Sequence, residues 1–357
     1  MSPSNPVRQL FTLHPPQRDH VPAARIALSI AVPLVLLVLL GRADLTIYAA
    51  FGAFTAIYAR HEPLRERVLH QSQAGLMPCA CVGVGSLLAN AAAPEPVVLA
   101  VTAVTAGLAA VLAAFWRLRP AGSLFFVFAV GAIDSLPGAV PVWLAVLIAA
   151  LSAGLSVLLG CAARWVGEGC TGPVAAVPPP PGPSAGQLWV HGARFLVATS
   201  AAGALGAASG LSYTYWAMVA AAAPIAAPDL TARLQRGVHR VVGTLGGVAV
   251  TAFLLSMSLQ QWHVVVFVIL FQFLAELFVG RNYSLALLFI TPLALLMTQL
   301  AHPVATGTLL QARAVETVIG AACGLVVVLV LRTRREREAD RAARAVLLRA
   351  GGAPERR

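Results

Sequence analysis

The chain has 357 residues, of which 59% are hydrophobic and only 11% are charged, and its mean hydropathy is +0.81. A soluble domain has about a quarter of its residues charged, so a water-soluble fold would leave too much apolar surface in solvent, and the lipid bilayer is the solvent that fits. The formal net charge is +11, and all 25 basic residues are Arg. Because a phosphate-binding loop of the G-x-x-x-x-G-K-[ST] type requires a Lys, the composition excludes such an ATPase within this sequence.

The arginines lie between apolar runs rather than in one continuous basic stretch. This distribution is typical of membrane proteins, in which juxtamembrane Arg fixes the orientation, and it argues against a nucleic-acid partner. If the N-terminus is cytoplasmic, 23 of the 25 arginines fall on the cytoplasmic side, and only Arg42 and Arg313 fall outside. The asymmetry predicts an even number of spans, with the N- and C-termini both in the cytoplasm.

Twelve apolar runs follow one another along the chain, six on each side of a Pro/Gly-rich stretch. The first six lie near 24–41, 44–59, 71–93, 96–115, 121–136 and 139–163. The second six lie near 189–211, 213–228, 241–259, 262–280, 283–301 and 313–331. We predict an all-α, polytopic integral membrane protein with about 12 transmembrane helices in two parallel six-helix repeats. Several runs are shorter than the roughly 20 residues of a perpendicular span, so we expect some tilted or re-entrant hairpins.

These runs divide the chain into five segments. They are a cytoplasmic N-terminal tail at 1–23, a first six-helix membrane repeat at 24–163, a Pro/Gly-rich cytoplasmic linker at 164–188, a second six-helix membrane repeat at 189–331, and an Arg-rich cytoplasmic tail at 332–357. The consecutive prolines of the linker predict a stiff, extended connection.

The two halves resemble each other weakly at an offset of 169 residues. At this offset Arg25 falls on Arg194, and Arg67 falls on Arg236. Because six spans are an even number, the halves would share one orientation and be related by an axis along the membrane normal. A substrate path would then lie at the interface between them.

A short segment of the second half contains three arginines on one predicted helical face. Arg233, Arg236 and Arg240 are spaced i, i+3 and i+7, and Asp229 before them is a predicted N-cap. Three guanidinium groups on one face would attract an anion into a vestibule. The alternative is a positive-inside stripe that faces lipid headgroups. Arg67, in the corresponding region of the first half, is predicted to lie opposite.

Glu276 and Glu316 lie inside apolar runs, where a carboxylate usually has a partner or faces a wet cavity. Glu276 lies about one helical turn from Arg281, and the two could carry protons or form a structural ion pair. We predict that Glu276 couples transport to protons and that Arg281 tunes it. For Arg313 and Glu316, spaced i, i+3 at the start of the last run, we predict a structural ion pair.

Aromatic and glycine residues in the second half give two further predictions. Tyr215 and Trp216 lie shortly before Pro224 in the same apolar run, and they would either anchor a helix at the membrane interface or stack on an aromatic substrate ring. Gly320 and Gly324 are spaced for close helix packing. The sequence contains no evident nucleophile–base set or metal-ligand cluster, so we expect no catalysis, no cofactor and no metal.

A series of short motifs occurs in order through the second half. They are Tyr215-Trp216-Ala217-Met218, Pro228-Asp229, Arg236-Gly237, Arg240-Val-Val-Gly243-Thr244, Glu276, Arg281-Asn282-Tyr283, Thr291-Pro292, and Arg313 to Gly320. This series resembles the fusaric acid resistance (FUSC) family, which is similar to the aromatic acid exporters and, more distantly, to plant aluminium-activated malate transporters. The resemblance covers about 190–331 well and the first half faintly. It implies a bacterial inner-membrane transporter that moves aromatic or other organic acids outward.

We therefore expect a transporter, not an enzyme, that exports small aromatic organic acids and is driven by protons. The predicted substrate-binding residues are Arg67, Tyr215, Trp216, Arg233, Arg236 and Arg240. One alternative is a passive organic-anion channel on the same scaffold, and another is a membrane scaffold in envelope biogenesis that docks partners through the Arg-rich tail. The expected partners are a small organic anion and the lipid bilayer. The protein would be a homo-oligomer or a monomer with an internal pseudo-two-fold axis.

Overall fold

A computed structural model of the chain describes residues 12–13, 15, 18–60, 62–136, 140–168, 182–332 and 336. These residues form twelve α-helices and no β-strand. The first six are α1 (His20–Leu39), α2 (Thr46–Ala53), α3 (Leu64–Asn90), α4 (Glu95–Phe115), α5 (Leu124–Asp134) and α6 (Val142–Ala162). The second six are α7 (Ala185–Ala208), α8 (Tyr215–Ile225), α9 (Leu230–Leu255), α10 (Gln261–Phe278), α11 (Tyr283–Ala301) and α12 (Thr306–Val330). Most of the predicted linker, almost all of the Arg-rich tail and most of the N-terminal tail lie outside the described residues.

Each of the twelve predicted apolar runs corresponds to one helix, so the all-α prediction is confirmed. The predicted starts of α3 and α12 are wrong by about two turns and that of α9 by about three, because these helices begin with polar turns that precede the apolar run. At the start of α9, the predicted N-cap is present: Oδ1 of Asp229 accepts a hydrogen bond from the backbone N–H of Ala232 at 2.9 Å. A capped polar turn thus extends α9 beyond the apolar part of its sequence.

Eight of the described helices are long and apolar enough to cross a bilayer: α1, α3, α4, α6, α9, α10, α11 and α12. The helices α5 and α8 are apolar but shorter, as is the segment 43–57 that contains α2. The chain is therefore a multi-pass integral membrane protein. The count of twelve spans stays a prediction, because the short helices and α7 do not meet the same criterion of length and hydropathy.

The short helices form the centre of the molecule, and the long helices surround them. Every residue of α2 and of α8 is buried. The long helices expose large apolar side chains outward; Leu39, Leu158 and Phe253, for example, are each about two-thirds exposed. An apolar outer surface around a buried centre suits a lipid environment.

Helix α12 packs closely on α8 through two glycines one helical turn apart. A Cβ at Gly320 would overlap the carbonyl oxygen of Ala217, and a Cβ at Gly324 would overlap that of Ala221. The close packing predicted from the spacing of these glycines is therefore confirmed, and only residues without a side chain fit there.

The helices contact one another in a regular pattern. In the first half, α3 packs on α5 and α6, α2 packs on α6, and α1 contacts α2 and α6. In the second half, α9 packs on α11 and α12, α8 packs on α12, and α7 contacts α8 and α12. Between the halves, α4 packs on α7, α10 packs on α1, α5 packs on α8, and α11 contacts α2.

The connections after α2, α4, α6, α8 and α10 meet at one end of the molecule, which we call the arginine end. The backbone N–H of Ala59 donates to the carbonyl oxygen of Arg119 at 3.2 Å, which joins two of these connections. The guanidinium of Arg25, at the start of α1, reaches both the carbonyl oxygen of Ala56 and the carboxylate of Glu168 after α6. The positions of these connections bring together arginines that are far apart in sequence.

Candidate functional site

A cavity of about 500 Å³, which we call the vestibule, lies at the arginine end between the two halves. Its wall is formed by the connections after α2 and α4 and by α9, α10 and α11. The charged residues in this wall are Arg60, Glu62, Arg119, Arg236, Arg240 and Glu276. Arg119 and Ala121 are exposed, so the vestibule opens toward the arginine end. Most of the remaining wall is apolar, which suits a ligand with a charged group and an apolar body.

A smaller cavity of about 70 Å³, which we call the inner cavity, lies deeper in the molecule. It shares Phe54, Phe125, Arg240 and Gln272 with the vestibule, so the two cavities adjoin. The aromatic residues Phe51, Phe54, Phe125, Phe128 and Trp216 line it, together with Arg313. The route inward therefore runs from a charged, open mouth to a narrow aromatic chamber.

The structure places Arg236 and Arg240 on the vestibule wall, beside Tyr283. The guanidinium carbon of Arg236 lies 4.5 Å from the centroid of the Tyr283 ring. Nη1 of Arg240 donates to the Tyr283 hydroxyl at 3.3 Å. Neither arginine has an acidic partner among the described residues, so both positive charges face the cavity uncompensated.

Arg233 does not line the vestibule, contrary to prediction. Its Nε donates to the carbonyl oxygen of Ala227 at 3.0 Å, and its Nη1 pairs with Glu336 at 3.0 Å. Arg194 pairs with the same carboxylate. Arg233 and Arg240 share a helical face, but seven residues of α-helix separate them by about 10 Å along the axis. Arg233 therefore lies in the first turn of α9, short of the cavity.

Arg67 is also absent from the vestibule wall, contrary to prediction. It is 1% exposed, and it donates to the carbonyl oxygens of Gly160 and Glu62 at 3.2 and 3.0 Å. The carboxylate of Glu168 lies 3.7 Å away and binds Arg25 at 3.0 Å. In the first half, Arg60 rather than Arg67 reaches the vestibule, because Arg67 points toward the end of α6.

The salt bridge of Glu276 joins the two halves of the molecule. Its carboxylate binds Arg60 of the first half at 2.6 Å and accepts a hydrogen bond from Gln272 at 3.1 Å. The sequence predicted Arg281 as the partner of Glu276, but the carboxylate of Glu276 pairs with Arg60 instead. Helix α10 ends at Phe278, so Arg281 is not one helical turn further on; it lies beyond the helix, with its guanidinium 5.7 Å from the Phe278 ring.

The predicted ion pair between Arg313 and Glu316 is not formed in the described structure. The guanidinium carbon of Arg313 lies 3.9 Å from the centroid of the Trp216 ring. Glu316 instead accepts a hydrogen bond from the hydroxyl of Ser209 at 3.1 Å. The i, i+3 spacing leaves both residues on one face of α12, but Arg313 turns to Trp216 of α8 and Glu316 turns to Ser209 after α7.

Trp216 lines the inner cavity, whereas Tyr215 packs behind it. Trp216 is 1% exposed, and its ring centroid lies 4.8 Å from that of Phe128. Tyr215 is 6% exposed and packs against Gly131 and Phe128. Their burial rules out an anchor at the membrane interface, because such an anchor must reach the headgroups. Contact with a substrate ring stays a prediction, and only Trp216 is placed for it.

Two acidic residues of these clusters were not predicted from the sequence: Glu168 and Glu336. Glu168 and Glu336 could have been found, because each follows the sixth apolar run of its half. Glu168 and Glu336 are 168 residues apart, and the arginines that they bind, Arg25 and Arg194, are 169 residues apart. Among the described residues, no three His, Cys, Asp or Glu side chains are grouped so that they could hold a metal ion.

An apolar helical shell around a buried, arginine-lined cavity defines a multi-pass membrane protein. Comparison with known families adds that residues 200–327 match the model described as fusaric acid resistance protein-like. The resemblance predicted from the second half is thus confirmed over these residues. The match agrees with the several apolar helices of a multi-pass membrane protein.

A similar protein is the uncharacterized membrane protein YvaC of Bacillus subtilis (strain 168), which is 27% identical over 146 residues. The aligned stretch covers 41% of this chain and 23% of that protein. The chain therefore spans less than a quarter of the curated relative that it matches. No solved structure matches the chain.

Proposed function

We propose that this protein is a bacterial inner-membrane carrier that exports small, aromatic organic acids and is driven by protons. The observation on which this rests is the vestibule between the two halves, where Arg236 and Arg240 face an apolar cavity without an acidic partner among the described residues. A carboxylate can pair with the arginines while the apolar body of the acid contacts the wall. The description of the matching family, fusaric acid resistance protein-like, names an aromatic acid of this kind.

The proposed carrier consists of two six-helix repeats. If α1–α6 correspond to α7–α12, the helix contacts within one half have counterparts in the other, such as α3 on α6 and α9 on α12. The contacts between the halves also correspond, since α4 packs on α7 and α10 packs on α1. Such a pattern is expected when two repeats are related by an axis along the membrane normal.

Two clusters of charged residues support the same repeat. In the first half, Arg25 and Arg67 bind Glu168; in the second half, Arg194 and Arg233 bind Glu336. Arg67 is the fourth residue of α3, and Arg233 is the fourth residue of α9. By position and partner, Arg67 therefore corresponds to Arg233, one helical turn from the match with Arg236 that the sequence offset gave.

The arginine end is proposed to face the cytoplasm, with both termini on that side. This orientation places the positively charged connections inside, as the distribution of arginines requires. The vestibule would then receive anions from the cytoplasm, and transport toward the other end would be export.

Glu276 is proposed to couple export to protons through its salt bridge with Arg60. A carboxylate substrate that enters the vestibule competes with Glu276 for the Arg60 guanidinium, 2.6 Å from the Glu276 oxygen. After the anion has left on the far side, protonation of Glu276 from that side would break the salt bridge in the empty carrier and let it return. An incoming proton would then be exchanged for an outgoing anion, as export driven by protons requires.

A transport assay in intact cells tests the proposal. Cells with and without the protein are loaded with radiolabelled benzoate or fusaric acid, and the retained label is followed with and without a protonophore. We expect lower retention with the protein and loss of this difference with the protonophore. Equal retention for every acid tested would contradict export.

The variant Glu276→Gln tests the coupling, with Glu66→Gln as the matched control, because Glu66 is exposed near the start of α3. We expect Glu276→Gln to abolish export against a gradient and Glu66→Gln to export normally. Proton-independent conduction of organic anions in voltage-clamped membranes by the unchanged protein would favour the passive channel instead.

A further inference from the structure

Arg313 is a buried cation in the centre of the molecule. The residue is 1% exposed, and its Nε and Nη1 atoms have no hydrogen-bond partner. The guanidinium carbon lies over the Trp216 ring, 3.9 Å from its centroid. No carboxylate lies within 4 Å of it in the described part of the chain.

This arrangement leaves a permanent charge uncompensated. A guanidinium stays protonated in proteins, so Arg313 cannot avoid the cost of burial by losing its proton. An isolated buried charge is strongly unfavourable, and contact with an aromatic ring offsets only part of that cost. The other arginine of the inner cavity, Arg240, is 2% exposed and adds a second positive charge.

The nearest acid along α12 is held away from Arg313. Glu316 is fully buried; one oxygen accepts from Ser209, and the other lies close to the Cα of Gly206 in α7. The fold thus keeps a potential partner one turn away and leaves the guanidinium directed into the cavity. Glu316 therefore does not neutralise Arg313, and the guanidinium is left available to an anion that enters the cavity.

We propose that Arg313 and Arg240 bind the carboxylate of the transported acid inside the inner cavity, where Trp216 and Phe128 form the wall beside it. This inference rests on the proposed function, and it names the site to which the substrate moves after the vestibule. The unpartnered Nε and Nη1 of Arg313 lie on opposite edges of the guanidinium, so either edge can donate to a carboxylate oxygen.

The size of the inner cavity limits what enters it. A cavity of about 150 Å³ holds one benzene molecule, whereas the inner cavity is about 70 Å³. The carboxylate and the atoms next to it therefore fit around Arg313, while the remainder of the acid extends past Phe54 and Phe125 toward the vestibule. The site favours a monocarboxylate attached to a flat apolar group.

Ligand-induced stabilisation of the purified, full-length protein in detergent tests the site. The melting temperature is measured against increasing benzoate, with chloride as an inorganic anion, for the unchanged protein, Arg313→Gln and Arg42→Gln. Arg42 is exposed and paired with Asp44 at the opposite end, so Arg42→Gln is the matched control. We expect benzoate to stabilise the unchanged protein and the control equally, and Arg313→Gln to weaken benzoate binding ~10- to 100-fold.

Two conservative variants keep the test decisive if Arg313→Gln does not fold. Arg313→Lys keeps the charge but loses the planar guanidinium with its fixed N–H directions, and Trp216→Phe keeps an aromatic wall. Weaker benzoate binding by Arg313→Lys supports the site. An unchanged affinity for benzoate in Arg313→Gln, or in both Arg313→Lys and Trp216→Phe, overturns the proposed site. The absence of benzoate binding to the unchanged protein also overturns it.

The site and the proposed function fail in different ways. If cells export benzoate but purified Arg313→Gln binds it normally, the inner site is wrong and export stands. If benzoate binds through Arg313 but no acid is exported, the site stands and the proposed function is wrong. Stabilisation by chloride alone, also lost in Arg313→Gln, overturns the carboxylate assignment.

Discussion

The buried arginines of this protein differ in whether a carboxylate lies beside them. At the arginine end, Arg25 and Arg67 share Glu168. Around the inner cavity, Arg240 and Arg313 have no acidic partner among the described residues, although both are almost completely buried. The first pair belongs to a closed cluster in which each guanidinium lies beside a carboxylate of the fold. The second pair leaves positive charge directed into a cavity.

This difference separates structural arginines from candidate ligand-binding arginines. A buried ion pair is expensive to break, because the remaining partner is left as an uncompensated charge. A buried cation without a partner is already uncompensated, and only a ligand can complete it. Removing an acid from the closed clusters should therefore affect stability, and removing an arginine from the cavity should affect binding.

The largest expected effect is at Glu168. The variant Glu168→Gln leaves both Arg25 and Arg67 without a carboxylate in a site where the acid side chain is 5% exposed. We expect a loss of about 3–5 kcal/mol in the free energy of unfolding, measured by chemical denaturation in detergent. Glu66→Gln, on the exposed side of α3, should leave stability unchanged. A similar stability for the two variants would show that the cluster is not structural.

A smaller loss is expected when the salt bridge between the halves is cut. Arg60→Gln leaves the Glu276 carboxylate with Gln272 as a hydrogen-bond partner, and we expect a loss of about 1.5–3 kcal/mol. The double variant Arg60→Gln/Glu276→Gln should recover part of this loss, since no charge is then left unpaired. Denaturation of all four proteins gives the coupling energy, and strictly additive losses would contradict a direct interaction.

The change at Arg313 should affect stability least among the buried charges. Arg313→Gln removes both a cation–π contact and an uncompensated charge, and these effects oppose each other. We expect the unfolding free energy of the ligand-free protein to change by no more than about 1 kcal/mol. A loss as large as that of Glu168→Gln would mean that Arg313 is held by partners within the fold, and the comparison between the two sets of arginines would no longer hold.

The smallest expected effect is the pH dependence of the exposed pair at the opposite end. The hydrogen bond from Arg42 lowers the pKa of Asp44 below its ordinary value. The pair therefore contributes stability above the unfolded-state pKa of about 3.9, and this contribution is lost as the pH falls through the lower folded-state pKa. Asp44→Asn should flatten the acid end of the stability curve slightly. Because both side chains are nearly half exposed, a large change there would contradict a screened surface pair.

Much of the architecture was predictable from local patterns in the sequence. Apolar runs of helical length predicted the twelve helices, because the bilayer selects for such runs in any membrane protein. The capping of α9 by Asp229 and the packing of Gly320 and Gly324 on α8 also followed, since each depends on residues within a few positions of one another.

The pairing of the charged residues was not predictable in this way. Helical spacing suggested Arg281 for Glu276 and Glu316 for Arg313, yet Glu276 binds Arg60, which is 216 residues away in the sequence. Similarly, Arg25 and Glu168 are 143 residues apart. Spacing along one helix identifies residues on a shared face, but it carries no information about which distant helix supplies the partner.

The sequence by itself determined that the chain spans a membrane, that it is all helical, and that its positive charge is concentrated on one side. These properties depend on composition and on short-range periodicity, which the bilayer and the helix impose locally. Only the tertiary structure decided which arginines are neutralised and which face a cavity. That distinction depends on how α1, α3 and α6 meet at one end and how α8, α9 and α12 meet around Trp216, because a charge is paired or unpaired according to its neighbours in space.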